Sequence, residues 1–302
     1  AAAVEATATG QEVAYSGSVQ FSSGTYIFTE ATRTLSLYSA LTLSAGPVRV
    51  SASIPVIAQN SGAITLVGRT VLPTGGTGAG AVGGRHGGQQ VPMGQGGPGG
   101  RNSLITLAPA PARPALFEGT AAAQVAEPDS VVAAPGSYGV DVGDPFLSGA
   151  VEVYSGWGVL RSVELTGSVK APLNDLDSGV GTGEWDYAVG AAAAAVAGRV
   201  LLFVDVAWWW YGDVAGLELR DGLGWGGGLG LPVSRTVWVS AMATGTNRVI
   251  ESAEAARTVS VALSYRVSDA GTVTVTAGAG LTETSSDYTL TLGWRTSLFS
   301  RP

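Results

Sequence analysis

Residues 288–299 read Tyr288-Thr289-Leu290-Thr291-Leu292-Gly293-Trp294-Arg295-Thr296-Ser297-Leu298-Phe299. Side chains leave a strand alternately on its two faces. Tyr288, Leu290, Leu292, Trp294 and Leu298 therefore form one apolar face, and Thr289, Thr291, Gly293, Arg295 and Ser297 a polar one. From residue 144 to 299 the same unit recurs, roughly ten alternating residues and then a turn. A soluble sandwich would coat its polar faces with Lys and Glu. Here charged residues are only 13% of the chain, and the polar faces are mostly Ser, Thr and Gly. Small polar residues suit the inside of a barrel whose outside is lipid.

The chain has 302 residues, 45% of them hydrophobic, and a mean hydropathy of +0.27, which is high for a soluble protein. No apolar run approaches the roughly 20 residues of a spanning helix; the most apolar stretch, 189–197, is mostly alanine. Residence in a bilayer would then fall to strands, which span lipid only when closed. The expected fold is all-β, a transmembrane antiparallel up-and-down barrel of about twelve strands. They are placed at 12–21, 32–43, 48–58, 145–154, 160–171, 185–197, 200–211, 223–231, 236–245, 257–267, 272–281 and 288–299.

The connections alternate in length. Those at 45–47, 155–158, 197–199, 232–235 and 268–271 are short; those at 22–31, 60–144, 172–184, 212–222, 246–256 and 282–287 are longer. Tight periplasmic turns and longer extracellular loops have this asymmetry. The chain divides into a short periplasmic segment, 1–11, and a barrel, 12–302, carrying an insert at 60–143. Half of residues 75–100 are glycine, and Pro109, Pro111 and Pro114 follow. Such a segment cannot build a packed core. It is expected as a long extracellular loop that plugs the lumen, caps it, or binds a partner or another copy of the chain.

Alternation places Val13, Tyr15, Val19 and Phe21, then Leu35, Leu37, Leu41 and Leu43, on the outward face. Val204, Val206, Trp208 and Trp210 join them, with Val259, Val261, Leu263 and Tyr265. None is charged, as a lipid face requires, since Lys or Arg at the midplane costs about 2–4 kcal/mol. The opposite face takes Glu12, Arg49, Glu152, Glu164, Lys170, Asp186, Asp205, Arg266 and Arg295 as lumen-lining candidates. They select solutes in a wet lumen, or pair across strands in a filled one. Tyr26, Trp185, Tyr187, Trp208, Trp210, Tyr288 and Trp294 are expected as girdle aromatics. Trp209 and Tyr211 should face the lumen or rim, where they could stack on an aromatic solute.

Catalysis finds no constellation. His86 is the single histidine, the chain has no cysteine, and neither a triad nor a thiolate metal site can be assembled. Gly75-Gly76-Thr77-Gly78-Ala79-Gly80 lacks the Lys-Ser/Thr of a phosphate loop. Asp175 and Asp177 with Glu184 and Asp186 offer oxygen ligands for a cation but no known calcium-loop spacing. No cofactor is expected. A net charge of −7 and an isoelectric point near 4.7 disfavour nucleic acid. Ala1-Ala2-Ala3 suits a start left by signal-peptide removal, and with it a bacterial outer-membrane address.

Lys170-Ala171-Pro172 is followed by Gly179-Val180-Gly181-Thr182-Gly183-Glu184-Trp185-Asp186-Tyr187. Together with Val142-Gly143-Asp144-Pro145, Gly280-Leu281-Thr282, Ser286-Asp287-Tyr288 and Ser22-Ser23-Gly24-Thr25-Tyr26, this resembles the family of transporters of the meta-pathway of phenol degradation. The likeness reaches both ends of the chain but not the glycine-rich insert. It implies an outer-membrane barrel passing aromatic or other small apolar compounds. Three readings follow: a passive channel for small solutes, a closed structural barrel that presents its insert, and a secreted soluble β-sandwich or solenoid.

Overall fold

The computed structural model describes residues 10–26, 31–60, 64–67, 70–72, 139–174, 180–214, 217–251 and 253–301. His86, Asp175, Asp177, the phosphate-loop-like run 75–80 and most of the insert lie outside them. The described residues are all-β. In chain order the strands are β1 (Gln11–Gly24), β2 (Thr32–Ala45), β3 (Val48–Gln59), β4 (Thr65–Val67), β5 (Thr70–Leu72), β6 (Gly139–Val142), β7 (Phe146–Ser155) and β8 (Leu160–Lys170). They continue with β9 (Asp186–Ala197), β10 (Val200–Trp210), β11 (Gly222–Pro232), β12 (Val237–Thr246), β13 (Arg257–Arg266), β14 (Gly271–Gly280) and β15 (Tyr288–Arg301).

One thirteen-stranded sheet runs β2-β1-β15-β14-β13-β12-β11-β10-β9-β8-β7-β3-β6, and β2 also pairs with β3. That last pairing closes the ring. β6 bonds only to the outer end of β3, so twelve strands form the closed antiparallel wall. These are the twelve expected from the sequence. β6 and the β4–β5 hairpin are additional; at three or four residues each they carry too short an alternation to be read.

The end with the short turns is the one the sequence assigns to the periplasm, and the two ends are called periplasmic and extracellular in that sense. The two-residue turns at the periplasmic end explain their own sequence. Gly46 and Gly198 hold φ of 56° and 64° at the first turn position, between paired Ala45 and Val48 and paired Ala197 and Val200. Gly at that position gives a II′ turn, whose twist matches the flanking strands. Register shifts fall at Val13/Ala14, Glu152/Tyr154 and Leu160/Ser162, all near this rim. Bulges gather at barrel rims because they bend a strand where pairing ends.

The alternation is carried through in three dimensions. Leu35, Leu37, Leu41 and Leu43 are exposed, while Thr34, Ser36 and Thr42 between them are buried. On β10, Leu202, Val204, Val206, Trp208 and Trp210 are exposed, and Phe203 and Trp209 are buried. An exposed apolar band, Leu and Val on most strands and Ala or Gly on β9 and parts of β11–β14, is a lipid face. Trp185 and Tyr187 stack at 6.3 Å near the extracellular edge, beside the level of Trp208 and Trp210. Tyr154, Tyr265 and Phe299 stand exposed at the periplasmic edge.

Two girdle expectations need correction. Tyr26 is 1% exposed, packed inside the rim rather than against lipid. Trp294 lies mid-strand, its indole covering Gly17 on the neighbouring strand, a position where no Cβ fits.

Replacing Val261, midway along β13 on the lipid face, with Arg should destabilise the folded barrel by about 2–4 kcal/mol. Thr274→Arg, on the inner face of the adjacent strand, should leave stability near that of the parent. Urea titration of folding into vesicles, read from the heat-modifiable gel band, measures both.

Candidate functional site: the lumen and its extracellular rim

The inner faces differ around the ring. β11 turns five glycines inward: Gly222, Gly224, Gly226, Gly228 and Gly230. Neighbouring β12–β15 contribute Ser240, Thr244, Ser260, Ala262, Thr274, Thr276 and Thr291, with Trp238 and Met242 as the large exceptions above the periplasmic arginines. Met242, Ser260, Ala262, Thr274 and Thr276 keep part of their surface accessible. On the other side Ser18, Gln20, Ser22, Thr34 and Ser36 are buried. Free inner surface therefore follows the β12–β14 wall.

Beside the glycine face stands an apolar ladder on β10: Leu201, Phe203, Ala207 and Trp209, continued by Tyr211 and interrupted by half-exposed Asp205. The Phe203 ring occupies the space over Gly228. Trp209 and Tyr211 stack with ring centroids 6.1 Å apart and planes 7° apart. Phe146 and Ala188 pack with them from β7 and β9.

Tyr211 also touches a second apolar cluster, at the mouth. Val67 of β4 is buried there with Val214 and Leu217 of the β10–β11 loop and Val249, Ile250 and Ala253 of the β12–β13 loop. Those loops are themselves tied by a Leu219–Ile250 bridge and by the Arg220 N–H donating to Val249 O at 2.7 Å. β12 stands six strands round the ring from β3, on the opposite wall. The chain leaving β3 thus meets the opposite loops over the lumen. The eight residues 60–67 reach at most about 25–29 Å, comparable to the width of a twelve-stranded ring at roughly 4.8 Å per strand.

The charged candidates separate into two levels. At the extracellular end, Lys170 Nζ lies 3.1 Å from Asp144 and 3.0 Å from Asp186, and donates to Thr182 Oγ1 at 2.6 Å. All three ionic side chains are sealed from solvent. Asp144 Oδ1 also accepts the N–H groups of Leu173 and Asn174, at 2.9 and 3.0 Å, and Asp186 Oδ1 accepts that of Gly212 at 3.1 Å. A Cβ on Gly181 would stand 2.8 Å from Asp144 Oδ1 and 2.7 Å from Asn174 O. The lysine knot therefore fastens the return from the insert, the β8–β9 loop and the start of the β10–β11 loop in one place. Lys170 and Asp186 lie on the inner face by alternation but are consumed within this knot. Asp144 was not among the sequence candidates, because nothing in its local pattern shows a partner 26 residues away.

A second knot holds the β1–β2 and β14–β15 ends. Tyr26, at φ 50°, is buried with hydroxyl contacts to Ser22 and Ser286. Gly280 N–H donates to Ser286 O at 3.0 Å, and a Cβ on Gly24 would meet Ser286 Cα at 3.0 Å. Burial pushes the Tyr26 hydroxyl up to about 12; the neighbouring Ser22 and Ser286 hydroxyls pull it down, and the Asp287 carboxylate raises it.

At the periplasmic level, Arg49 donates to Glu164 Oε2 at 2.6 Å, buried, and Arg295 meets Glu12 at 3.1 Å. Glu152 stands directly opposite Glu164 in register, half-exposed, and Arg266 closes the inner face of β13. Asp205 sits between these levels, opposite Gly226 and Ala192. Among the described residues no group of three or more His, Cys, Asp or Glu is placed to hold a metal. Glu184 is half-exposed, while Asp175 and Asp177 are outside the described residues.

Neither protein-family models nor curated protein sequences match this chain. Solved structures do. An outer-membrane channel from Pseudomonas putida F1 aligns over 99% of this chain and 100% of its own, at 11% identity and a TM-score of 0.57. The KdgM porin aligns over 95% and 99%, at 8% identity and a TM-score of 0.48. At such identity the first likeness speaks for the fold alone: this chain is a closed β-barrel built like that of an outer-membrane channel.

Lys170→Met should cost about 3–5 kcal/mol, since it strands two buried carboxylates. Urea unfolding should show that loss together with faster protease cutting of the 171–185 loop. The Tyr26 hydroxyl gives a separate alkaline signature. Above pH 10 the unfolded chain releases this proton and the folded one keeps it, so its contribution is whole below pH 10 and is lost towards about 12. About 3 kcal/mol is at stake over that window. Tyr26→Phe should flatten the fall in unfolding free energy measured between pH 9.5 and about 12.

Proposed function

We propose that this protein is a bacterial outer-membrane channel for passive passage of small solutes, aromatic or weakly polar ones among them. The observation that carries the reading is the inner wall. Glycine on β11 and Ser, Thr and Ala on β12–β14 leave accessible inner surface with hydroxyls, which a closed, filled barrel would lack. A small solute on this path finds hydroxyls to replace its hydration and, on β10, the planar faces of Trp209 and Tyr211. Near the periplasmic exit Arg49, Arg266 and Arg295 are countered by Glu12, Glu152 and Glu164. Such a balanced ring gives no strong sign preference and disfavours large fixed-charge solutes.

A second reading has an observation of its own. Val67 is fully buried among loops over the mouth, so the barrel could act as a closed anchor that presents its insert to a protein or to another copy of itself. The channel reading treats that cluster as a cap that opens.

Planar-bilayer recording of the purified protein separates the two. The channel reading expects unitary steps from the intact chain and a higher open fraction for Val67→Asp, which places a charge in the apolar cluster. It also expects Trp209→Ala/Tyr211→Ala to lower the preference for a neutral aromatic over an aliphatic of equal size by about two- to tenfold in liposome swelling. Silence from the intact chain, from Val67→Asp and from a variant lacking residues 73–138, all shown folded, would leave the anchor.

A further inference from the structure

The wall that carries the accessible lumen surface also has an unusual exterior. On the lipid side of β11–β14, Gly227, Ala241, Ala243, Ala277 and Ala279 stand where most other strands bear Leu or Val, β9 with Ala191, Ala193 and Ala195 excepted. With Val259 and Val261 they line an apolar depression of about 610 Å³. Directly above it, at the extracellular edge, opens a cleft of about 700 Å³ lined by Arg220, Arg248, Arg257, Trp225 and Asp221, among others. The two are continuous along the strands. Arg257 pairs in register with Gly245, two residues above the Ala243–Val259 pair, and the Trp225 indole covers Gly245 from the lipid side.

The charges of this cleft are unevenly committed. Arg220 pairs with Glu251, and Asp221 Oδ1 accepts the N–H of Tyr211 at 3.0 Å. Arg248 and Arg257 form no ion pair among the described residues. The backbone N–H of Arg257 donates to Thr282 Oγ1 and Ser285 Oγ, at 3.2 and 3.0 Å, which fixes where this side chain starts. Two guanidiniums with no ion pair among the described residues, at the headgroup level over an open apolar hollow, are complementary to a lipid with phosphate at its head and several chains below.

We infer that this face binds a phosphorylated, multiply acylated glycolipid of the outer leaflet. Its phosphate lies between Arg248 and Arg257, its sugar lies against Trp225, and acyl chains fill the Gly227–Ala243–Ala277 hollow. The inference uses the membrane orientation adopted above but not conduction, so a silent barrel would leave it intact. A free phosphate would be satisfied by the arginines alone; a second barrel would use the hollow alone.

Native mass spectrometry of the detergent-purified barrel with added bisphosphorylated hexa-acyl lipid A tests it. The parent should retain the lipid. Arg248→Gln/Arg257→Gln should lower retention by about tenfold or more, and monophosphorylated lipid should be retained less by the parent. Ala243→Leu/Ala277→Leu, with both arginines present, should lower it as well, while Arg235→Gln at the periplasmic turn should not. The heat-modifiable band certifies folding of each variant. Equal retention by the parent and the double glutamine variant would overturn the proposal. So would displacement of the lipid by millimolar inorganic phosphate, or a parent dimer that the leucine variant abolishes and lipid does not compete for.

Discussion

In hydrocarbon no water is present to complete a peptide group, so each backbone N–H and C=O of the wall must find its partner within the wall. The pairing of β2 with β3, alongside β1 with β15, closes the ring and meets that demand. Much else follows from it. Once the ring is closed, side chains are released from any duty to the backbone and sort by solvent alone, Leu and Val to lipid, Ser and Thr to the interior. Turns must be tight where the chain reverses at once, hence Gly46 and Gly198. Charges must sit on the inner face or at an end, where Arg49, Glu164 and Arg295 are found.

Glycine then sets the shape of the interior. A strand residue without a side chain leaves its backbone bare, and aromatic rings repeatedly cover it here: Trp294 over Gly17 and Trp225 over Gly245 outside, Phe203 over Gly228 inside. Outside, the pairing shields hydrogen bonds from lipid. Inside, it has a further effect. Because β11 contributes no inward side chains above Pro232, the β10 ladder can lean across it, and the room it vacates remains next to the β12–β14 hydroxyls. The lumen's asymmetry is thus written in one strand, Gly222-Leu223-Gly224-Trp225-Gly226-Gly227-Gly228-Leu229-Gly230.

The parts of this fold that are periodic were legible in the sequence. Strand number, pairing order, the two faces and the alternation of short and long connections all derive from period two and from turn chemistry, which are local. Trp209 falls on the buried face of β10 by the same alternation. What escaped was non-local. Tyr26 read as a girdle residue because an aromatic at a strand end generally is one; only the approach of Ser286 from the far end of the chain buries it. Val67 gave no signal at all, since a strand of three residues is too short to show a period. The periplasmic pairs were readable as charges on the inner face but not as partners, because Arg49 and Glu164 meet only through the β3–β7–β8 order.

The motifs that resembled a known family prove to be two knots. Lys170, Thr182, Asp186 and Asp144 meet in one; Gly24, Tyr26, Gly280 and Ser286 meet in the other. Each residue type is demanded by geometry: a glycine where a Cβ would strike an oxygen, an aspartate that can serve a lysine and backbone N–H groups together, a lysine long enough to reach two carboxylates. Such constraints act on how loops are fastened to the rim, and they hold whatever passes below. A likeness carried by those residues therefore concerns the rim. On the channel reading proposed above, solute choice would rest on other positions, the β10 ladder and the small residues of β11–β14, where a change of volume leaves both knots untouched.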